Sequence, residues 1–274
     1  MVITRYDLSR TELADLLEGE PNYRVDQVWE GLHSQHRDPA DLTNIPKKLR
    51  SAIESLLPAA LTPLREVSAD NGTTIKNLWQ LSDGHLIESV LMHYRDRSTV
   101  CVSSQAGCAM ACSFCATGQV GFDRHLTTGE IVEQVIRASQ HSVDKRVSNV
   151  VFMGMGEPLA NFDNVWSAIE RINADIGIGA RKITVSTVGI IPGIERLAQQ
   201  KLPVSLAVSL HSANDKTRNH LAPINRTYPL RKLAECLQNY KRARNRRISL
   251  EWACLLYTSP SPRDRTRSRM PSSA

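Results

Sequence analysis

Three cysteines stand close together at residues 108–115. Cys108, Cys112 and Cys115 follow the spacing C-x3-C-x2-C, and Phe114 directly precedes the third. Three thiolates this close in the chain can bind three irons of a cubane iron–sulfur cluster and leave the fourth iron open. Because an open iron can bind a further ligand, this run predicts a site of cluster-based chemistry.

Structural zinc and simple burial are the alternatives for these thiols. Structural zinc needs four ligands, usually as two separated pairs, whereas this loop has three cysteines. Cys101 could supply a fourth thiolate, but it falls on a predicted strand rather than beside the loop. Burial alone does not explain three cysteines within eight residues. The spacing therefore favours a cluster.

Further polar residues and glycines stand where predicted strands end. In chain order these segments are Gly154-Met155-Gly156-Glu157, Ser186-Thr187 and Ser209-Leu210-His211. A glycine there lets the backbone approach a ligand, and a glutamate can hold an ammonium group. Taken singly, the glycines are equally explained by tight turns and the histidine by a hydrogen-bonded loop. Together with the cysteine loop they predict one site.

Alternating strands and helices must position these residues. Strands are predicted over 100–103, 147–153, 182–187, 204–210 and 248–253, and helices from 127 and over 164–173, 192–200 and 230–242. This alternation predicts an α/β fold with parallel strands joined by right-handed crossovers, as an open sheet or a partial barrel. In either architecture a site forms at the carboxyl ends of the strands.

Two smaller units precede this region. Residues 1–60 predict a small helical domain, with a capping box at Ser9 and Glu12 and a stop at Pro58. Trp29 fits a core anchor, and the basic residues after Pro46 fit a solvated helix face. Alternatively, these residues belong to an RNA-docking module. We expect a linker and a β-hairpin around Ser82-Asp83-Gly84 over residues 61–97. The α/β region is expected over residues 98–253.

The composition changes sharply near the end of the sequence. The last 17 residues contain five serines, three prolines and four arginines, without apolar periodicity. We expect 254–274 to be a disordered tail. Because it follows a fifth strand in an architecture that has not closed, we hypothesise that it is foreign sequence introduced by a frame change or an appended segment.

Composition restricts the class of protein. The chain has 274 residues, of which 41% are hydrophobic, which is ample for a globular core. No apolar run is long enough for a membrane span, and the start lacks the apolar core of a signal peptide, so we expect a cytoplasmic protein. Six mostly clustered cysteines favour metal binding or catalysis over disulfides. The net charge of +6 weakly favours a polyanionic partner.

The cysteine loop resembles that of the radical S-adenosylmethionine (SAM) enzymes, and the longer motifs resemble one of their families. Residues 101–108, 115–118 and 121–122, together with 154–159, 186–192 and 209–213, are similar in order to blocks of the RlmN adenine-C2 RNA methyltransferases. The N-terminal helices fit this family as well. The resemblance covers about residues 10–253 and implies a partial TIM-type barrel that holds a 4Fe–4S cluster and SAM.

The resemblance also implies roles for individual residues. By matching position the cluster ligands are Cys108, Cys112 and Cys115, and the SAM contacts are Gly156, Glu157, Ser186, Ser209, Leu210 and His211. Glu88 matches the proton acceptor, and Cys101 matches a thiol that resolves a protein–RNA adduct. Without the resemblance, a solvated hairpin residue and a buried strand thiol are the better interpretations of these two.

The implied substrates are adenines of 23S rRNA and of the tRNA anticodon loop. Carbon 2 of adenine is electron-poor and cannot attack the methyl group of SAM as an amine would, so the family uses a radical route. One SAM methylates a C-terminal cysteine, and an adenosyl radical from a second SAM activates that methyl group. The resemblance implies a monomer that receives electrons from a donor such as flavodoxin or ferredoxin and does not bind a membrane. The target adenine must lie outside the base stack.

The sequence departs from the family at its C-terminal block. The block with the methyl-carrying cysteine and a late asparagine that helps to hold SAM is absent, and neither Cys236 nor Cys254 has the context to replace that cysteine. We therefore expect this chain to bind a cluster and SAM without completing methyl transfer. A C8-adenine methyltransferase and a non-catalytic iron–sulfur protein that binds RNA through the basic run 241–247 are alternatives.

Overall fold

The computed structural model describes residues 3–142 and 145–253. Its helices are α1 (Arg10–Leu16), α2 (Asn22–His33), α3 (Lys47–Leu56), α4 (Ala116–Val120), α5 (Thr128–His141), α6 (Phe162–Ala174), α7 (Ile191–Ala198), α8 (Asp215–Leu221) and α9 (Leu230–Arg244). Its strands are β1 (Leu61–Ala69), β2 (Thr74–Leu81), β3 (Leu86–His93), β4 (Ser98–Cys101), β5 (Gln105–Gly107), β6 (Phe122–His125), β7 (Val147–Phe152), β8 (Ile183–Thr187), β9 (Ser205–Ser209) and β10 (Ile248–Glu251). The predicted tail at 254–274 lies outside the described residues.

The large sheet has the order β1-β2-β3-β4-β7-β8-β9-β10. Strands β1 to β4 pair antiparallel, and β4, β7, β8, β9 and β10 pair parallel. The five parallel strands of the predicted α/β region are thus confirmed. Because they run in one direction, their carboxyl ends share one edge of the sheet.

The linker predicted before the hairpin is wrong over part of its length. Residues Leu61–Ala69 form β1, which pairs with β2 from Leu61↔Leu81 to Ala69↔Thr74. After the buried Leu61, its remaining residues are exposed, so no alternation of apolar and polar residues marks it. Pro63 is tolerated because β1 is an edge strand and its register shifts between Pro63 and Arg65.

The two faces of the parallel sheet differ in polarity. Val150, Val185 and Val208 are fully buried on the face where α5 lies against β7, with α6 beside α5. On the opposite face the register aligns Cys101 with Val151, and both are only partly buried. The apolar face builds the core, and the other face remains available for polar groups.

The N-terminal helices are fastened to the α/β region by buried polar contacts. The amide of Ala60 donates to Glu133 Oε2 at 2.7 Å, and Gly129 N donates to Asp7 Oδ1 at 2.8 Å. One continuous hydrophobic core runs from Tyr6 to Tyr240. The predicted capping box of Ser9 with Glu12 forms, and a second capping box joins Thr127 and Glu130.

Four small elements near the strand ends carry no clear sequence signal. Strands β5 and β6 form a separate two-stranded sheet, and α4 and α8 are helices of five and seven residues. Together they enclose the cysteine loop. Within the described residues, no helix has the length and apolar character needed to cross a membrane.

Candidate functional site

A cavity of about 340 Å³ lies at the carboxyl edge of the parallel strands. Eight of the eleven predicted site residues line it, namely Cys108, Cys112, Cys115, Gly156, Glu157, Ser186, Ser209 and His211. These residues follow β5, β7, β8 and β9, so only the fold brings them together. Leu210, Cys101 and Glu88 are not among the lining residues.

Backbone hydrogen bonds shape the cysteine loop from both sides. Cys108 N donates to Gly121 O at 2.6 Å, and Ser113 N donates to Leu221 O at 3.0 Å. Within the loop, Cys115 N donates to Cys112 O at 3.1 Å. The loop is therefore held between the end of α4 and the end of α8.

The chemistry of the three thiols fits a cluster. Cys108 and Cys112 are buried, and Cys115 is half-buried. Burial raises the pKa of Cys108, and burial together with the neighbouring Cys108, Cys115 and Glu157 raises that of Cys112 to about 12. Because a thiolate is the form that binds iron, binding of a cluster must release these protons.

The described residues contain no group of three His, Cys, Asp or Glu side chains that converge as around a single metal ion. In a cubane cluster each cysteine binds a different iron, so the donors do not share one ion. Cys101, considered above as a fourth zinc ligand, lies on β4 and not among the residues that line the cavity.

Glu157 is a fully buried carboxyl group at the centre of the site. Its Oε2 accepts from Val188 N at 2.8 Å, and its Oε1 accepts from Leu159 N at 3.1 Å. Burial raises its pKa to about 7, although both hydrogen bonds favour the carboxylate. Each oxygen retains a lone pair for a ligand, so Glu157 both ties β7 to β8 and lines the cavity.

Gly156 has a backbone that a side chain would disturb. Its φ is +99°, and an added Cβ would lie 2.6 Å from Gln105 Cβ and 2.8 Å from Gln105 N. Gln105 in turn accepts from Glu157 N through Oε1 at 2.8 Å. The glycine therefore allows β5 and the loop after β7 to meet at the cavity wall.

The segment after β9 is fastened to β10. Leu210 N and His211 N both donate to Glu251 O, and Ala253 N donates to His211 Nδ1 at 3.1 Å. His211 has a φ of +58°, unusual for a residue other than glycine, and its ring meets Phe114 edge-on at 4.5 Å. Burial and the cation of Arg218 lower its pKa. The ring is thus a neutral group that faces the cysteine loop.

Glu88 and Cys101 lie on neighbouring strands of the sheet. Cys101 pairs with Val90, and Glu88 is two residues from Val90, so both side chains stand on one face. Glu88 Oε1 accepts from Lys76 Nζ at 3.0 Å, and burial raises the pKa of Cys101 to about 11. Diagonal neighbours on one sheet face are about 7–8 Å apart, which leaves space for a substrate group between them.

Arg218 was not found by sequence reasoning. It is 1% exposed on α8, and its guanidinium donates to the carbonyls of Val188, Ser209 and Leu210 and to Asn225 Oδ1. No local pattern could have marked it, because α8 is short and its contacts come from distant segments. The arginine joins the segments that follow β8 and β9.

Comparisons with known proteins agree with this geometry. A family profile described as "Radical SAM superfamily" matches residues 102–259. "Probable dual-specificity RNA methyltransferase RlmN" of Chloroflexus aurantiacus is 47% identical over 91% of this chain and 70% of its own length. The protein of that name in Corynebacterium diphtheriae is 46% identical with the same coverage. A radical SAM methyltransferase structure from Sphaerobacter thermophilus has a TM-score of 0.88 at 44% identity, and covers 91% of this chain and 76% of that one.

Proposed function

We propose, because this chain belongs to the RlmN family of radical SAM RNA methyltransferases, that it acts on carbon 2 of adenine in 23S rRNA and in the tRNA anticodon loop. The observation that carries the proposal is the single cavity that contains three cysteines together with Glu157, Ser186, Ser209 and His211. Four loops from distant parts of the sequence contribute to it.

Cys108, Cys112 and Cys115 would hold a 4Fe–4S cluster, and Gly156, Glu157, Ser186, Ser209, Leu210 and His211 would hold SAM. When bound, these cofactors supply one-electron chemistry, which an electron-poor ring carbon requires. Glu157 would accept from an ammonium group, which also favours its carboxylate form. Gly156 keeps the cavity wall free of a side chain.

Glu88 and Cys101 would act on the RNA base. Both stand on the same face of the sheet, on the neighbouring strands β3 and β4. Glu88 Oε1 forms a partly exposed ion pair with Lys76 Nζ at 3.0 Å. Cys101 is protonated at neutral pH because burial raises its pKa, so the thiol must lose its proton when it attacks.

The N-terminal helices would dock RNA. We assign residues 1–60 to RNA docking, 61–97 to a connection with three antiparallel strands, and 98–253 to the catalytic barrel. Lys47 and Lys48 are exposed on α3 and can meet phosphates. We further propose that the protein acts as a monomer in the cytoplasm with an external one-electron donor such as flavodoxin or ferredoxin.

Cluster binding is tested by iron and sulfide content and by electron paramagnetic resonance after anaerobic reconstitution. We expect the wild-type chain to bind one 4Fe–4S cluster and to cleave SAM reductively to 5′-deoxyadenosine. Cys112→Ala should lose both properties. Cys236→Ala is the matched control, because Cys236 is a buried thiol on α9 outside the cavity. Equal loss in both variants, or in neither, would contradict the assignment.

The position of methylation is tested in a chimera. Residues 1–253 are joined to the C-terminal part of the Chloroflexus aurantiacus relative, which supplies the family's C-terminal block. Mass spectrometry of digested RNA should then detect 2-methyladenosine, and Glu88→Gln should abolish it while leaving SAM cleavage intact. Formation of 8-methyladenosine instead would refute the proposed position.

A further inference from the structure

Arg218 is a buried cation without an anionic partner among the described residues. Its side chain is 1% exposed, and no carboxylate lies within 4.0 Å of it there. The guanidinium is satisfied by neutral oxygens: Val188 O at 2.5 Å, Asn225 Oδ1 at 2.7 Å, Leu210 O at 3.1 Å and Ser209 O at 3.3 Å. Because a buried charge without a contacting counter-charge is destabilising, this arrangement favours a negative charge bound nearby.

The nearest carboxylate is engaged elsewhere. Asp215 lies on the same helix, but its Oδ1 accepts from Asn225 Nδ2 at 2.8 Å and from Leu230 N at 3.0 Å. Asn225 therefore separates the carboxylate of Asp215 from the guanidinium of Arg218. Asp215 still interacts electrostatically with Arg218, but within the described part of the chain no carboxylate contacts the guanidinium directly.

Arg218 contacts a segment that packs against the cysteine loop. Val188, whose carbonyl it binds, packs against Cys112 and Ala222 in a small apolar cluster. Ser113 N donates to the carbonyl of Leu221 on the same short helix. Burial lowers the pKa of Arg218, and the electrostatic interactions with Cys112 and with Asp215 raise it.

We infer that Arg218 is a positioning residue that acts as the counter-charge of an iron–sulfur cluster held by the cysteine loop and favours its one-electron reduction. The inference rests on the proposed function, since it requires that cluster. Three thiolates on a cluster core of charge +2 give a net charge of −1, and an electron from an external donor makes it −2. A fixed cation stabilises the more negative state, so it raises the reduction potential.

The test compares variants that keep or remove this charge in the full chain with its reconstituted cluster. Arg218→Lys keeps the charge and loses the planar fork, whereas Arg218→Met removes the charge and keeps much of the volume. Arg171→Met is the control, because Arg171 also binds backbone carbonyls, those of Tyr6 and Asp7, but on α6. The midpoint potential is read by electron paramagnetic resonance during titration with dithionite, which supplies the electron.

We expect Arg218→Met to lower the equilibrium constant for one-electron reduction at least tenfold, a shift of about 59 mV to more negative potential. Arg218→Lys and Arg171→Met should stay within about threefold of wild type. An unchanged potential in Arg218→Met, or an equal shift in Arg171→Met, would overturn the inference.

A second variant neutralises the charge without removing the arginine. Asp215→Asn combined with Asn225→Asp exchanges two side chains of the same shape and places a carboxylate directly on the guanidinium. We expect the same shift to more negative potential, and wild-type behaviour would overturn the inference. If Arg218→Met and the double variant fail to incorporate iron while Arg218→Lys incorporates it, the positive charge at residue 218 is required for cluster binding, which supports the inference. Failure of Arg218→Lys as well would show a purely structural role. A wild-type chain without a cluster would refute the proposed function instead.

Discussion

Substitution of Gly156 by alanine tests the packing of the cavity wall. Its φ of +99° is a conformation in which an L-residue is strained by about 1–2 kcal/mol. The new Cβ would also lie 2.6 Å from Gln105 Cβ and 2.8 Å from Gln105 N. Gln105 cannot move away easily, because its side-chain Oε1 accepts from Glu157 N and its backbone N donates to Met155 O.

The magnitude follows from these two effects. Overpacking of a close contact costs about 1–3 kcal/mol, so Gly156→Ala should lower the free energy of unfolding by about 2–5 kcal/mol in total. Gly84→Ala is the matched control. Gly84 has a φ of +89° at the tip of the hairpin with no atom within 4 Å of its added Cβ. Its substitution should cost only the strain, about 1–2 kcal/mol.

The measurement is equilibrium unfolding in urea of the cluster-free wild type and both variants, followed by circular dichroism. The free energy is extrapolated to water, and the slopes are compared to confirm similar unfolding. If Gly156→Ala loses no more stability than Gly84→Ala, the close approach of β5 to the loop after β7 is refuted.

Two further predictions concern buried charges. Burial raises the pKa of Glu157 to about 7, so the folded state retains its proton to higher pH than the unfolded state. The wild type should therefore lose about 3 kcal/mol of stability relative to Glu157→Gln as the pH rises from about 4.5 to about 7, and parallel pH profiles would contradict this. Glu133→Ala leaves the amide of Ala60 and the guanidinium of Arg137 without their buried partner, so we expect a loss of about 3–5 kcal/mol in urea unfolding. Glu235→Ala, in an exposed ion pair, should cost less than about 1 kcal/mol, and equal losses would be inconsistent with this reasoning.

Local patterns were sufficient for the elements whose signals are contiguous in the chain. Each of these signals comes from residues that are close together in the chain. They are the cysteine spacing, the capping boxes, and the apolar patterns that mark each strand and helix. The five parallel strands and their common edge followed from the alternation of strands and helices, because consecutive parallel strands joined by helices must end on the same side. The position of the cavity could therefore be inferred before the fold was known.

Contacts between distant segments account for what was missed. Strand β1 has only one buried residue, so its pairing with β2 rather than its own pattern makes it a strand. Glu157 is tied to β8 through Val188, and Arg218 binds carbonyls that lie 8 to 30 residues away. The sequence alone thus predicted three neighbouring thiols at the carboxyl ends of the strands. The buried position of Arg218 depended on the tertiary structure, because burial and hydrogen bonding depend on the whole chain around a residue.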